Sequence, residues 1–498
     1  DHLGLELPDV VVVPHEHVAV SMAHGHYFAT GRPAAVILHT NVGLANGAIG
    51  AINAATEHVP MILMSGRTPT LEGGRFGART VPIGWGQEMR DQAALVREAC
   101  KWEYEVRFPE QVPELIDRAH AIATSTPKGP VYLALPREVL CEPCPPEAFA
   151  APPSMAAAIG DARDDDIARA AWLLAHAERP LIIAQRGAGS ATGFAALADI
   201  ADRYDVPVCQ WWACANAISS EHPMYVGTDP SPWIERADVI VVLDSLAPWM
   251  PDAHPIQRLT QVVQIGPNPL YSRFPVRNFR SNVSIASELA PALVALVAAL
   301  DALADDGEMI DRTSLRAEVD AAGRARRAAN EPDPTRGSNG ASMTKASVGK
   351  VLGELLRGRE AQVVSELGVP LDAYAPTGHA EYRQEPHSGG LGWSLPCAMG
   401  IKLADPDRLV VATMGDGSYL FANPVAAHHV GEVHGIAVLT IILNNHGYGA
   451  VSDSVTGLYP TGYAAKADAV PLTELSPSPE FRLVAESCRA WAETVTAA

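Results

Sequence analysis

Short runs of β-branched and aliphatic residues alternate with alanine-rich helical stretches along most of this chain. The runs form three series, at 10–13, 34–38, 61–64 and 131–135, then at 181–184, 206–210, 239–243 and 261–265, and finally at 361–365, 408–414 and 436–443. Runs that are apolar throughout are typical of strands buried on both faces of a parallel sheet. The sequence therefore predicts three doubly wound α/β domains, each built on a parallel sheet.

The boundaries of these domains follow from composition. A proline-rich segment at 141–154 separates the first two series. The stretch 305–342 mixes Arg, Ala, Asp and Gly without strand signals and is predicted to be a helical and flexible linker. We therefore expect a first domain at 1–150, a central domain at 155–304 and a third domain at 343–498.

The composition of the chain argues against nucleic-acid-binding, membrane and disulfide-rich secreted proteins. The chain has 37 basic and 57 acidic residues, a formal net charge of −20, which argues against nucleic-acid binding. No apolar stretch approaches the roughly 20 residues that span a bilayer, and no secretory signal pattern is present. The seven cysteines are scattered and odd in number, unlike a disulfide framework. We expect a cytoplasmic protein without a membrane partner.

Two polar motifs follow predicted strands of the third domain directly. Gly415-Asp416-Gly417-Ser418 comes after the run 408–414, and Asn444-Asn445 comes after the run 436–443. Open parallel sheets bind ligands beyond the carboxyl ends of their strands. Carboxylate and amide oxygens suit Mg²⁺, and the glycine-rich turn leaves amide groups free to hold phosphate. One metal ion bridging a diphosphate would satisfy both motifs.

These motifs resemble the signature of thiamine diphosphate enzymes, and the order of the domains is similar to the pyruvate-oxidase-like branch, which includes benzoylformate decarboxylase and acetohydroxyacid synthase. The resemblance implies that Asp416, Asn445 and a backbone oxygen of Gly447 bind Mg²⁺. It implies that Gly415, Gly417, Ser418 and Asn445 hold the cofactor. It also implies that the chain is trimmed at both ends.

The resemblance assigns further residues to the cofactor's ring. Glu16, just after the first run, matches the glutamate that activates the aminopyrimidine. Leu391 matches the apolar side chain that supports the bent cofactor, and Gly390 beside it lets backbone approach the ring. An ordinary helix N-terminal glutamate and a core leucine are the alternatives.

Three further residues are candidates at the substrate. His39 resembles the catalytic histidine of benzoylformate decarboxylase, although a strand-end histidine bonded only to backbone is the alternative. Gln87 resembles the active-site glutamine of acetohydroxyacid synthase, or is a surface residue. His254 matches a second decarboxylase histidine loosely. Neighbouring histidines, namely His15, His17, His24 and His26, are expected to flank the site or lie at the surface.

The implied activity is the decarboxylation of a 2-oxo acid, followed by release of an aldehyde or by addition to a second carbonyl compound. An acetohydroxyacid-synthase-like transferase, a flavin oxidase and a non-catalytic relative are the alternatives. Gly187-Ala188-Gly189 after the run 181–184 lacks the third glycine of a nucleotide fingerprint, so FAD is not expected. The family resemblance further implies a homodimer or homotetramer with active sites at the subunit interface.

Overall fold

The computed structural model describes residues 8–149, 154–330, 343–467 and 469–496. It contains three separate parallel sheets, one in each series of predicted strands. The predicted fold class is therefore confirmed. Within the described residues, no helix is long and apolar enough to cross a membrane.

The first domain is a four-stranded sheet in the order β1-β2-β4-β3. Its strands are β1 (Ala34–Leu38), β2 (Met61–Arg67), β3 (Glu103–Glu105) and β4 (Pro130–Pro136), and its helices are α1 (Glu16–Thr30), α2 (Thr40–Thr56), α3 (Ile83–Gly86), α4 (Val112–Thr124) and α5 (Arg137–Leu140). Leu63 and Tyr132 pack with residues of α1 and α2, whereas Ile62 and Leu133 pack with residues of α4. Helices therefore cover both faces of this sheet.

The second domain is a five-stranded sheet in the order β6-β5-β7-β8-β9. Its strands are β5 (Pro180–Ala184), β6 (Val208–Cys209), β7 (Val239–Leu243), β8 (Gln261–Gly266) and β9 (Val283–Ala286), and its helices are α6 (Asp164–Ala175), α7 (Ala191–Arg203), α8 (Ser231–Ile234), α9 (Leu289–Asp305) and α10 (Thr313–Asn330). Every residue of β5 and β7 is buried, as apolar runs of this kind predict.

The third domain is a four-stranded sheet in the order β11-β10-β12-β13. Its strands are β10 (Ala361–Glu366), β11 (Tyr382–Gln384), β12 (Leu409–Gly415) and β13 (Leu439–Leu443), and its helices are α11 (Lys345–Leu356), α12 (Leu371–Tyr374), α13 (Ser394–Ala404), α14 (Asp416–Phe421), α15 (Pro424–His434), α16 (Gly449–Leu458) and α17 (Phe481–Ser487). Strands β10, β12 and β13 end side by side in register, which brings the loops after them to one edge.

Helices α1 and α13 join the first and third domains by direct backbone contact. A Cβ atom at Gly25 of α1 would lie 1.9 Å from the carbonyl oxygen of Cys397 in α13. In the opposite direction, a Cβ atom at Gly400 would lie 1.9 Å from the carbonyl oxygen of Met22. Because neither position has room for a side chain, the two glycines let the helices pack closer than larger residues would allow. The two domains are thus held together at their backbones.

Several elements differ from the sequence-based expectation. Residues 10–13 were expected to form a buried strand, but they form none. Val11 and Val13 pack against the core of the third domain, whereas Val10 and Val12 are 82% and 76% exposed. The alternation of exposed and packed side chains shows an extended segment with only one covered side, so its apolar run did not mark a strand.

Other differences concern elements that the sequence did not predict. Strands β3, β9 and β11 are each three or four residues long and lie at the edge of their sheets, so they lack the long apolar runs of central strands. The stretch predicted to be a helical and flexible linker does contain a helix, α10, but its Leu315 and Val319 are buried in the core of the second domain. Part of that stretch is therefore packed structure, while 331–342 lies outside the described residues.

Candidate functional site

The residues after β12 and β13 place three oxygen atoms together. The side-chain oxygen of Asn445 lies 3.1 Å from Asp416 Oδ1 and 2.8 Å from the carbonyl oxygen of Gly447. Turning the amide over would replace these oxygen contacts with hydrogen bonds from its nitrogen. The positions of the amide atoms are compatible with both orientations: one donates two hydrogen bonds, and the other presents the carboxylate, amide and carbonyl oxygens that Mg²⁺ takes. The donor set therefore fits the predicted metal.

Asp416 itself is held in a fixed orientation at this edge. It is 1% exposed, its Oδ2 accepts the backbone N–H of Gly447 at 3.0 Å, and its Oδ1 accepts that of Gly417 at 3.0 Å. Among the described residues, no basic side chain forms an ion pair with it. Burying a carboxylate without a counter-charge is costly, so the site is built for a positive ligand. Gly415 precedes the helix that Asp416 begins, and Ser418, two residues after Asp416, is 2% exposed.

A buried glutamate joins this edge to the loop that carries Leu391. Glu366, the last residue of β10, is 0% exposed. Its Oε1 accepts the N–H of Gly392 at 2.6 Å and its Oε2 accepts that of Ser394 at 2.7 Å. Burial raises the pKa of Glu366, and these N–H groups and the Ser418 hydroxyl oppose the rise. The sequence analysis did not select Glu366, although it too is a polar residue at the carboxyl end of a strand.

The loop before α13 also contacts the first domain. Asn53 of α2 is fully buried, and its Nδ2 donates to the carbonyl oxygen of Gly390 at 3.0 Å. Its Oδ1 accepts the Ser388 hydroxyl at 2.6 Å. Leu391 is half-buried next to this contact. Asn53 therefore fixes the backbone of the loop that the resemblance assigns to the cofactor's ring.

Glu16 begins α1 and lies against α2. Its Oε2 accepts the side-chain N–H of Asn46 at 3.1 Å, and a Cβ atom at Gly43 would lie 2.8 Å from its Oε1. The glycine thus leaves room for the carboxylate. Among the described residues, no hydrogen bond or ion pair joins Glu16 to Asp416, Asn445 or Gly447. The next residue of α1, His17, lies against the backbone of Leu391 and Gly392.

The two other first-domain candidates are accessible. His39 is the N-cap residue of α2, is exposed, and caps no backbone group with its side chain. Gln87 follows α3 and is half-buried. Its neighbour Glu88 is held by Arg67 Nη2 at 2.8 Å and by the hydroxyl of Thr68 at 2.8 Å, and it also pairs with Arg79. The segment that carries Gln87 is therefore anchored, while the catalytic assignments of His39 and Gln87 stay predictions.

His254 lies inside the second domain. It is 5% exposed, its Nδ1 accepts the backbone N–H of Met250 at 2.9 Å, and its ring packs edge-on against Trp211 with centroids 4.8 Å apart. Both of these contacts of the His254 side chain are to residues of the second domain. Its predicted role at the substrate stays a prediction.

Two of the histidines that were expected to flank the site or lie at the surface are buried. His17 and His24 of α1 are 4% and 1% exposed. His17 lies against the backbone of Leu391 and Gly392, and burial lowers its pKa. His24 accepts the indole N–H of Trp393 at 3.2 Å, and burial lowers its pKa to about 3. Both side chains fill the contact between the first and third domains, which the sequence pattern did not reveal.

The glycine turn of the second domain borders a small polar cavity. Gly187 and Gly189 have φ values of 76° and 83°, as tight turns with glycine allow. The cavity has a volume of about 30 Å³ and is lined by these glycines together with Arg186, Asn216 and Arg383. That volume suits one or two waters rather than a nucleotide. The expectation that this domain holds no FAD stays a prediction.

A second, half-buried carboxyl group near Glu366 makes the stability of the fold depend on pH. Burial, followed by the charge of Glu366, raises the pKa of Glu385 from 4.5 to about 7. Since the folded state holds this proton more tightly than the unfolded state, the stabilisation is complete below pH 4.5 and is lost as pH rises towards 7. A neutral glutamine would not suffer this loss.

We therefore expect Glu385→Gln to gain stability relative to the unmodified chain between pH 5 and pH 8, by roughly 1–3 kcal/mol. Denaturant unfolding at both pH values measures the change. Leu367 N–H, which donates to Glu385 at 3.2 Å, can still donate to the glutamine oxygen. The exposed Glu360→Gln is the matched control. A stability difference that stays constant with pH would contradict the assignment.

Comparison with known proteins decides the family. Sequence models of thiamine pyrophosphate enzymes match the chain in three places: the N-terminal TPP binding domain at residues 1–95, the central domain at 167–296 and the C-terminal TPP binding domain at 372–498. The chain belongs to the thiamine pyrophosphate enzyme family. The predicted resemblance is thus confirmed.

Curated relatives place this thiamine pyrophosphate enzyme among decarboxylases, synthases and acetyltransferases. It is 26% identical over 486 residues to the probable 2-ketoarginine decarboxylase of Pseudomonas aeruginosa, covering 95% of this chain and 80% of that protein. It is 26% identical over 455 residues to the benzoylformate decarboxylase of the same organism (88% and 79% covered). It is also 22% identical over 466 residues to the acetolactate synthase large subunit of Lactococcus lactis (89% and 74% covered).

Solved structures of other family members share the fold of this thiamine pyrophosphate enzyme. Benzoylformate decarboxylase from Polynucleobacter necessarius superposes with a TM-score of 0.78 at 21% identity, covering 98% of this chain and 86% of that one. The 4-hydroxybenzoylformate decarboxylase of Rhodococcus jostii gives a TM-score of 0.76 at 23% identity, covering 98% and 87%. At these identities the likeness concerns the fold alone.

Proposed function

We propose that this chain is a thiamine diphosphate- and Mg²⁺-dependent decarboxylase of a 2-oxo acid. The observation that carries the proposal is the group of three oxygens from Asp416, Asn445 and Gly447, in a chain that belongs to this enzyme family. A buried carboxylate without a basic partner, beside the turn Gly415–Ser418, suits a metal ion that bridges a diphosphate.

Thiamine diphosphate, when bound, would supply the nucleophilic carbon and the electron-accepting group that decarboxylation of a 2-oxo acid requires. The residues of the chain bind, orient and transfer protons. Asp416, Asn445 and Gly447 would hold the metal, while Gly415, Gly417 and Ser418 contact the diphosphate. Glu16 would hold a proton at the pyrimidine nitrogen, and Leu391 and Gly390 would support the ring.

We also propose that two copies of the chain complete each active site. Glu16 begins a helix of the first domain, whereas Asp416 begins a helix of the third. The family resemblance places the corresponding residues in different subunits. The first-domain segment with Gln87 exposes Phe76 and Trp85 to 82% and 44%, and apolar exposure of this kind favours an interface.

A transferase of the acetolactate synthase type is the second candidate. Gln87 resembles a residue of that enzyme group, and Ser454 of α16 is small and exposed, which would leave room for an acceptor carbonyl compound. Incubation of the holoenzyme with pyruvate, benzoylformate and branched 2-oxo acids, with CO₂, aldehyde and 2-hydroxyketone all measured, separates the two. Aldehyde as the main product supports the decarboxylase, and 2-hydroxyketone or acetohydroxy acid alone supports the transferase. Absence of CO₂ from every substrate would contradict both.

Loss of His39 tests the acid-base assignment. An exposed imidazole is suited to transfer a proton to the decarboxylated substrate. We expect His39→Ala to slow aldehyde release by about 10²–10⁴-fold and to leave cofactor affinity unchanged. Steady-state rates and calorimetric cofactor titration measure the two effects.

The exposed His120→Ala, in the same domain, is the matched control for this prediction. Aldehyde release at the original rate on every accepted substrate would make His39 a structural residue.

A further inference from the structure

We propose that Glu366 is a positioning residue that fixes the loop beneath the cofactor's ring relative to the loop that binds its diphosphate. The inference rests on the proposed function, because the two loops are defined by the cofactor they would hold. The ring loop is Gly390–Ser394, and the diphosphate loop is Gly415–Ser418.

The contacts of Glu366 reach both loops from one strand end. Its two oxygens accept the N–H groups of Gly392 and Ser394 at 2.6 and 2.7 Å. The Ser418 side chain, in the diphosphate loop, lies close enough to lower the pKa of this carboxyl group. Glu366 pairs in register with Met414, so the carboxylate originates beside the strand that leads into Asp416. A single side chain thus bridges both halves of the site.

The ring loop depends on this carboxylate for its backbone hydrogen bonds. Trp393 is the N-cap residue of α13 and makes no side-chain cap, so the first N–H groups of that helix need an acceptor from elsewhere. Glu366 is that acceptor, and its negative charge is favourable at a helix N-terminus.

Steric contact reinforces the position of the ring loop. Gly392 has a φ of 86°, and a Cβ atom there would lie 2.4 Å from the backbone of Phe421, at the end of the diphosphate-side helix. The loop is therefore pressed against α14 while Glu366 holds it from the other side. A small displacement of the carboxylate would move Leu391 relative to Asp416.

Separate titrations with thiamine diphosphate and with inorganic diphosphate, each with Mg²⁺, test this role. In Glu366→Gln the amide nitrogen faces a backbone N–H of the ring loop, so that buried N–H loses its acceptor. The free energy of one such loss corresponds to a factor of about 10 to 100 in a binding constant. We expect the affinity for thiamine diphosphate to fall by that factor and the affinity for inorganic diphosphate to change by less than about threefold. Only the whole cofactor would contact both loops, so only its binding depends on their relative position. Glu385→Gln, at a neighbouring half-buried carboxyl group, is the matched control and should change neither affinity.

The possible results separate the inference from the proposed function. An equal loss of both affinities, or loss of neither, would overturn the positioning role. Failure of the unmodified chain to bind thiamine diphosphate would instead contradict the proposed function. If Glu366→Gln does not fold by circular dichroism, Glu366→Asp decides the question. It keeps both acceptors and withdraws them by one methylene group, and the same selective loss is expected.

Discussion

Asp416→Ala should abolish retention of the cofactor. We expect the Mg²⁺-dependent affinity for thiamine diphosphate to fall by more than about 100-fold, above the 10- to 100-fold typical of changes around metal ligands. The substitution removes the only charged oxygen of the proposed metal site and leaves the diphosphate's charge poorly compensated. It also removes the acceptor of the Gly447 N–H, which carries another proposed ligand. Calorimetric titration with thiamine diphosphate and Mg²⁺ measures the loss.

Two variants make this result specific. Asp416→Asn keeps an acceptor near the Gly417 and Gly447 N–H groups but removes the charge, so it should also lose the metal while retaining the fold. Asp407→Ala removes an exposed carboxylate at the opposite, amino-terminal end of the same strand and should bind normally. Affinity like that of the unmodified chain in Asp416→Ala would exclude Asp416 as a metal ligand.

Glu16→Gln should keep the fold and the cofactor but slow exchange of the cofactor's C2 proton by roughly 10²–10⁴-fold, the range expected for losing a proton-transfer group. The glutamine oxygen can still accept from Asn46, which donates to Glu16 at 3.1 Å, so α1 and α2 stay in place. An amide cannot take up or return the proton at the pyrimidine nitrogen. Quenched-flow deuterium exchange measures this step alone.

The matched control is Glu114→Gln, an exposed glutamate in the first turn of α4 in the same domain. Unchanged exchange in Glu16→Gln would move the activating role to another residue.

Mixing the two inactive variants tests the proposed dimer. If each site combines Glu16 of one chain with Asp416 of the other, a reassorted equimolar mixture of Glu16→Gln and Asp416→Ala regains about one quarter of the active sites. If both residues of a site come from one chain, the mixture stays inactive.

Candidate site residues were easiest to select from the sequence where polar residues directly follow a predicted strand. Asp416 and Asn445 could be selected because each follows an apolar run, and parallel strands end at a common edge. Glu366 satisfies the same criterion but lacks a recognisable motif, so it was overlooked. Asn53 could not have been found this way, because it contacts the Gly390 carbonyl across 337 residues, and nothing in the local sequence of α2 indicates its partner.

The sequence also predicted the central strands of the sheets, because their burial leaves a pattern in the sequence. Central strands such as β5 and β7 are apolar throughout because helices cover both their faces, and that pattern is visible in the sequence. The run at 10–13 has the same composition but covers one side of a neighbouring domain, so composition alone could not distinguish it from a strand. Burial of His17 and His24 likewise depends on the contact between domains rather than on the period of α1.

Where α1 and α13 cross, the distance between the first and third domains does not depend on the surrounding side chains. Since Gly25 and Gly400 bring main chain against main chain, the distance between these helices is set by atoms that every amino acid shares. Substitutions of the surrounding residues during evolution would then change which substrate fits, while the distance between the two domains stays the same. The two glycines themselves are the positions at which such substitutions would be least tolerated.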